Sequence, residues 1–197
     1  MLLDCGASLV LLGHSERRAA HGETSDIIAQ KIEAALVQNL DVMLCVGETK
    51  AERDDKKAEQ VVIDQLQASI PQHAPPICLM IAYEPVWAIG TGLVCPADVA
   101  QEVHAFIRSV IAKKYGNEVA DQVIIQYGGS VKPDNVKEIM AMRCAIECMH
   151  CACTSRAMRS VLQALRKRDC NSGARAGHSK LMNSSAVGTA AAAAAPG

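Results

Sequence analysis

The chain has no stretch of eighteen or more consecutive apolar residues, which excludes an ordinary membrane-spanning helix. No basic region leads into an apolar stretch and a small-residue cleavage site near Met1, so no secretory signal is visible. Nine cysteines are present, but they lack the short, dense layout of a disulfide scaffold and point to a reducing compartment, with the cytoplasm as default. Net charge is almost absent, at −1, and neither nucleic acid nor membrane is expected as a partner. What remains is 197 residues, 50% hydrophobic and 21% charged. That is enough for one soluble domain with a sizeable core.

The small net charge hides a division. Residues 1–142 carry 12 Lys and Arg against 19 Asp and Glu, and residues 143–197 carry 8 against 2. The last 55 residues hold five of the nine cysteines, no Phe, Tyr or Trp, and the alanine run Ala190 to Ala195. Two regions are therefore expected: an α/β domain over 1–142 and an irregular basic, alanine-rich tail over 143–197. The abruptness of the change suggests a shifted reading frame or an unspliced segment. Reading the nucleic acid in its other frames tests this.

Within 1–142, short apolar runs alternate with amphipathic segments, the pattern of strand–helix units around a parallel sheet. Strands are expected at Ser8 to Leu12, Val42 to Val46, Ile77 to Ala82 and Gln122 to Gln126, each continuous enough to be buried on both faces. Helix stripes fall on Ile28, Ile32, Ala35 and Leu36, with Thr24 or Ser25 as cap, and on Ala58, Val62, Leu66 and Ile70. A third stripe is Val99, Val103, Ile107 and Val110, with Pro96 suited to the first turn. A shorter helix begins near Pro133, with Val136, Ile139 and Met140 on one face.

Each expected strand runs into a polar or glycine-containing junction: Gly13-His14-Ser15-Glu16, Gly47-Glu48, Tyr83-Glu84-Pro85 and Tyr127-Gly128-Gly129-Ser130. Functional groups of parallel α/β proteins collect at the carboxyl ends of strands, so these four junctions converge. Glu84, at the mouth of a buried sheet, fits a desolvated general base, or a carboxylate salt-bridged at a strand end. His14 fits a neutral hydrogen-bond donor or proton shuttle, or a satisfied structural imidazole. Gly90-Thr91-Gly92 and Gly128-Gly129-Ser130 offer unobstructed backbone N–H groups for a phosphate dianion, or are simply turns. A base, an electrophile and two anion cradles together imply a phosphorylated carbonyl substrate.

The segments Gly13-His14-Ser15-Glu16-Arg17-Arg18, Ala82-Tyr83-Glu84-Pro85-Val86-Trp87-Ala88-Ile89-Gly90-Thr91-Gly92 and Tyr127-Gly128-Gly129-Ser130-Val131 resemble signatures of the triosephosphate isomerase family. Cys45-Val46-Gly47-Glu48 and Gln101-Glu102-Val103-His104 follow the same pattern in order and spacing. The resemblance covers roughly residues 1–142. It implies a partial (βα)8 TIM barrel, with strands resembling the fourth to seventh. It also implies interconversion of dihydroxyacetone phosphate and glyceraldehyde 3-phosphate through an enediolate, in glycolysis and gluconeogenesis, without metal or organic cofactor. Glu84 would move the proton and His14 would polarise the carbonyl as a neutral imidazole, a division of labour of which this family is itself the standard instance. Gly90 and Ser130 would bind the phosphate, and Ser15 and Glu16 would support the catalytic pair. Pro85 to Val94 would form the lid, again a standard instance taken over with the family, with Pro85-Val86-Trp87 as first hinge. A homodimer is implied for the intact family.

The sequence also departs from that pattern. The family's first three strand–helix units, its asparagine and lysine at the end of the first strand, and its dimer loop have no counterpart in these residues. An eighth strand ending in a second glycine pair is not expected, since the strand rhythm stops after Arg143. The second lid hinge, Leu93-Val94-Cys95, is more apolar than the family's, and His21 replaces an aromatic residue near the subunit contact. An incomplete barrel is expected to expose sheet edges and apolar faces, so an inactive fragment stands as the alternative function. In the tail, Cys144, Cys148, His150, Cys151 and Cys153 suit zinc by ligand type but lack paired spacing. Ser155 to Arg168 reads as a basic amphipathic helix with Met158, Val161, Leu162 and Leu165 on one stripe. That helix has either a solvated face or one for an acidic partner or a membrane surface.

Overall fold

In the strand running Asp41–Val46, five consecutive residues are buried, from Val42 to Val46. Only a strand covered on both faces has that burial. We label it β2. Before it come β1 (Leu9–Leu12), α1 (Ser15–His21) and α2 (Ser25–Val37). After it come α3 (Lys50–Asp54), α4 (Ala58–Ser69) and β3 (Leu79–Tyr83), then a 3₁₀ turn at Val86–Ala88. The helices α5 (Ala97–Tyr115) and α6 (Asn117–Gln122) lead to β4 (Ile125–Tyr127), α7 (Val136–Met140) and β5 (Glu147–Cys148). The computed structural model describes residues 1–72, 79–131, 135–141 and 147–148, all within one compact unit, Met1–Thr154.

The five strands lie in the order β1-β2-β3-β4-β5, every neighbour pair parallel. Sequential parallel strands need helical crossovers, and α2, α4 and α5 supply them. Side chains alternate across a strand. Val42, Leu44 and Val46, with Ile81, Tyr83, Ile125 and Tyr127, join the core formed with Ile28, Ile32, Leu66, Ile107 and Ile111. Their opposite-face neighbours Met43, Cys45, Met80, Ala82 and Gln126 are buried as well.

Helix α2 follows its predicted stripe, with Ile28, Ile32 and Ala35 buried and the Thr24 hydroxyl accepting from the N–H of Ile27. In α4, Val62 and Leu66 are buried as expected. The α5 stripe is displaced. Ala100, His104, Ile107 and Ile111 are buried, while Val99, Val103 and Val110 pack only partly against the core. The reason is His104, a polar residue that the apolar pattern passed over. Its ring meets Tyr83 edge-on at 5.8 Å.

Other expectations are also revised. Gln122 ends α6 and does not begin a strand, so β4 is shorter than expected. The sheet continues beyond Arg143, because Glu147 and Cys148 pair in register with Gln126 and Tyr127 and so occupy the ladder positions that β4 offers. At β1, one end of the sheet order, the predicted exposure of an apolar face is seen at Leu11, which is 39% exposed. Ile77, Pro133 and the tail residues Cys144, His150, Cys151, Cys153 and 155–168 lie outside the described residues, as do the side chains of Val136, Met140 and Cys148.

Candidate active site

The junctions after β1, β2 and β3 meet at one end of the sheet. Gly13 leaves β1 at φ 77, and His14 then caps α1, its Nδ1 accepting from the N–H of Glu16 at 3.3 Å. A ring nitrogen that accepts carries no proton, so in its neutral form this imidazole would hold its hydrogen on Nε2. That Nε2 lies 3.1 Å from Oε1 of Glu84. Oε2 of Glu84 accepts from the backbone N–H of Ser15 at 3.0 Å.

Glu84 follows β3 and is 1% exposed. The His14 approach is off the line of a hydrogen bond, and Oε1 has no bonded partner among the described residues. Burial pushes the Glu84 carboxyl above its ordinary value of 4.5, and the Ser15 N–H, His14 and Cys45 oppose that rise. The Cys45 thiol, buried beside Glu84 on β2, is itself pushed up by burial and by that carboxylate.

The raised carboxyl has a consequence for stability. As pH rises through 4.5 the unfolded chain ionises first while folded Glu84 keeps its proton, so stability falls with pH until Glu84 ionises too. Glu84→Gln is therefore expected to raise the denaturant midpoint at neutral pH, with the gain vanishing below pH 4.5. Glu23 has the opposite sign. Lys31 and Arg17 hold it below 4.5, at 2.5 Å and 2.5 Å from its Oε1. Its contribution is present above 4.5 and is lost as pH falls through its lowered value.

The segment predicted as a lid rests on a hub at the end of β2. Glu48, fully buried, accepts from Trp87 Nε1 at 2.8 Å, from Arg53 Nη1 at 2.7 Å and from the Tyr83 hydroxyl at 3.1 Å. Arg53 also stacks over the Trp87 ring at 5.1 Å, a favourable cation–π distance. Beyond Trp87 the tip is exposed, with Leu93 and Val94 open to solvent and Gly90 and Gly92 at φ 69 and 82. The Thr91 hydroxyl donates to the carbonyl of Trp87 and accepts from the N–H of Leu93. From β4, the Ser130 hydroxyl donates to the carbonyl of Ala88 at 2.9 Å.

The structure thus brings His14, Ser15 and Glu84 into contact and ties Ser130 to Ala88, at the base of the segment predicted as a lid. Gly90 stands away in the exposed tip, with nothing within 4 Å of where a Cβ would lie. Glu16 reaches the pair through its backbone N–H, its side chain being exposed. Sequence reasoning passed over Glu48, Arg53 and Arg18. For Glu48 the signal was present, a carboxylate following glycine at a strand end. Arg53 and Arg18 sit on helices, where an arginine ordinarily reads as solvated. Among the described residues, no group of His, Cys, Asp or Glu is arranged to hold a metal, and no helix is long and apolar enough to cross a membrane.

A parallel α/β sheet with its polar groups at the carboxyl ends of consecutive strands is the architecture of barrel-type α/β enzymes. Residues 1–147 match the family model of triosephosphate isomerase. The chain is 51% identical over 142 residues to triosephosphate isomerase from Phocaeicola vulgatus, covering 72% of this chain and 57% of that one. It is 54% identical over 144 residues to the Herpetosiphon aurantiacus enzyme of that name, with the same shares covered. For the Rhodopseudomonas palustris enzyme the identity is 51%, with 56% of the relative covered. The chain belongs to the triosephosphate isomerase family. It spans a little over half the length of the relatives it matches.

Proposed function

We propose that this chain carries the proton-transfer half of a triosephosphate isomerase site, interconverting dihydroxyacetone phosphate and glyceraldehyde 3-phosphate. The observation that carries the reading is the Nε2 of His14 held 3.1 Å from the buried carboxylate of Glu84. Burial makes Glu84 a stronger base than an exposed carboxylate. An N–H without charge polarises a carbonyl and does not quench the base as a permanent cation would. A triose phosphate bound against both groups would lose a carbon-bound proton to Glu84 while His14 Nε2 donates to its oxygens. Gly90 and Ser130 would receive the phosphate, Ser15 and Glu16 would hold the pair in place, and the lid would exclude water. No metal or organic cofactor takes part. In this reading the site is built from residues 1–142. Glycolysis and gluconeogenesis in the cytoplasm are the setting this activity implies. The homodimer belongs to the reading of a whole family member and not to these residues alone.

The test is a hybrid in which residues 1–142 replace the matching segment of the Phocaeicola vulgatus relative. The hybrid is expected to isomerise triose phosphate, and Glu84→Gln within it to lower kcat by roughly 10²–10⁴-fold. A hybrid no faster than its Glu84→Gln variant would overturn the reading. A second reading, that residues 1–197 by themselves are inactive, is favoured by the exposed Leu11 on β1. Isomerase activity of the purified chain above its own Glu84→Gln variant would eliminate that second reading.

A further inference from the structure

Hydrogen bonding between β1 and β2 runs in register only as far as Leu12 opposite Leu44. Beyond that point the backbones part, Gly13 turning into α1 and β2 continuing to Val46. Diverging strand ends leave carbonyls without ladder partners, and a buried carbonyl needs one. Arg18 fills the gap. Its Nε donates to the Gly13 carbonyl at 2.9 Å, Nη1 to the Ser25 hydroxyl at 3.2 Å, and Nη2 lies 3.5 Å from the Cys45 carbonyl. The packing is close, since a Cβ at Gly13 would stand 3.1 Å from Nη2.

Arg18 also holds the other side of residue 14. Its backbone N–H donates to the His14 carbonyl at 3.0 Å. The peptide group before the His14 Cα is thus bound by the Arg18 side chain, and the one after it by the backbone N–H groups of Arg17 and Arg18. The imidazole direction is set by those two peptides, because their planes fix the backbone from which the side chain leaves. The partners of the guanidinium tie that backbone to β2 through Cys45 and to the start of α2 through Ser25.

We propose that Arg18 is a positioning residue for His14: its fork, bridging Gly13, Cys45 and Ser25, fixes the strand-end turn that keeps Nδ1 on the Glu16 N–H and Nε2 toward Glu84. Only a planar group with several donors serves acceptors in three directions; an ammonium in its place is a point donor on a flexible stem. The inference concerns geometry and stands apart from whether the chain turns over substrate.

The experiment is ¹⁵N spectroscopy of the full chain labelled at histidine. The wild type is expected to show His14 with Nδ1 unprotonated and Nε2 protonated as a single tautomer. In Arg18→Lys the two His14 nitrogens are expected to move toward each other as the tautomers mix, while the core signal of His104 stays in place. Ser25→Ala, which removes one strut, is expected to shift His14 in the same direction by less. A purely structural role for Arg18 would lower stability without moving the tautomer. Arg18→Lys with His104 intact and His14 at its wild-type positions would overturn the proposal. Should Arg18→Lys lose the His104 signal, Ser25→Ala decides: an unmoved His14 refutes the inference and a shifted one supports it.

Discussion

Gly47→Ala is expected to be among the most damaging single substitutions in the chain, lowering stability by on the order of 3 kcal/mol or more. A Cβ at Gly47 would lie 1.7 Å from the carbonyl oxygen of Glu84 and 2.6 Å from its carbonyl carbon. Both are backbone atoms, so no rotamer change relieves the clash, and β2 and β3 would have to separate where the Glu84 N–H bonds the Val46 carbonyl at 2.8 Å. A domain has only about 5–15 kcal/mol in total. The measurement is the shift in denaturant midpoint, with Gly90→Ala as comparison. Gly90 has a left-handed φ of 69 but open space around it, so its cost is that of strain alone, about 1–2 kcal/mol. Equal midpoints for the two variants would show that the close approach of β2 and β3 at Gly47 does not control stability.

Glu48→Gln is expected to combine a loss of stability with a change at the lid. The carboxylate is wholly buried and serves Arg53, Tyr83 and Trp87 together. Breaking a fully buried ion pair by removing one charge costs about 3–5 kcal/mol. The Arg53 side chain keeps 28% of its surface in solvent, which lowers the expected cost to roughly 2–3 kcal/mol. Trp87 is the single tryptophan of the sequence, so its fluorescence reports this hub without ambiguity. A red-shifted emission and an earlier unfolding midpoint are expected together. Unchanged emission would mean that Glu48 does not hold Trp87.

Much of this arrangement was legible in the residues. Parallel strands buried on both faces leave nearly unbroken apolar runs, so β2 was readable almost to the residue. Thr24 before an apolar stripe marked the start of α2. The junctions holding His14 and Glu84 stood out because polar residues directly follow apolar runs. What escaped had physical reasons. The short helices α1 and α3 bury no residue and so carry no apolar stripe to find. Helix α6 buries only Ala120, and its run into Val123 reads as part of a strand. The hub around Glu48 escaped because a carboxylate between Arg53 and Trp87 is defined by contacts across 5 and 39 positions, a distance that periodicity does not register. Arg18 escaped because its work is done on backbone carbonyls, which every sequence possesses.

The bonds inside the lid tip bear on how that segment would travel. With Thr91 fastened to Trp87 and Leu93 fastened to Thr91, the tip is a small plate and not a loose thread. A plate swings about its two attachments and keeps its internal shape, so few torsions change and little chain entropy is lost on arrival. Thr91→Val would cut both ties at nearly constant volume, leaving more of the tip to be ordered each time it settles.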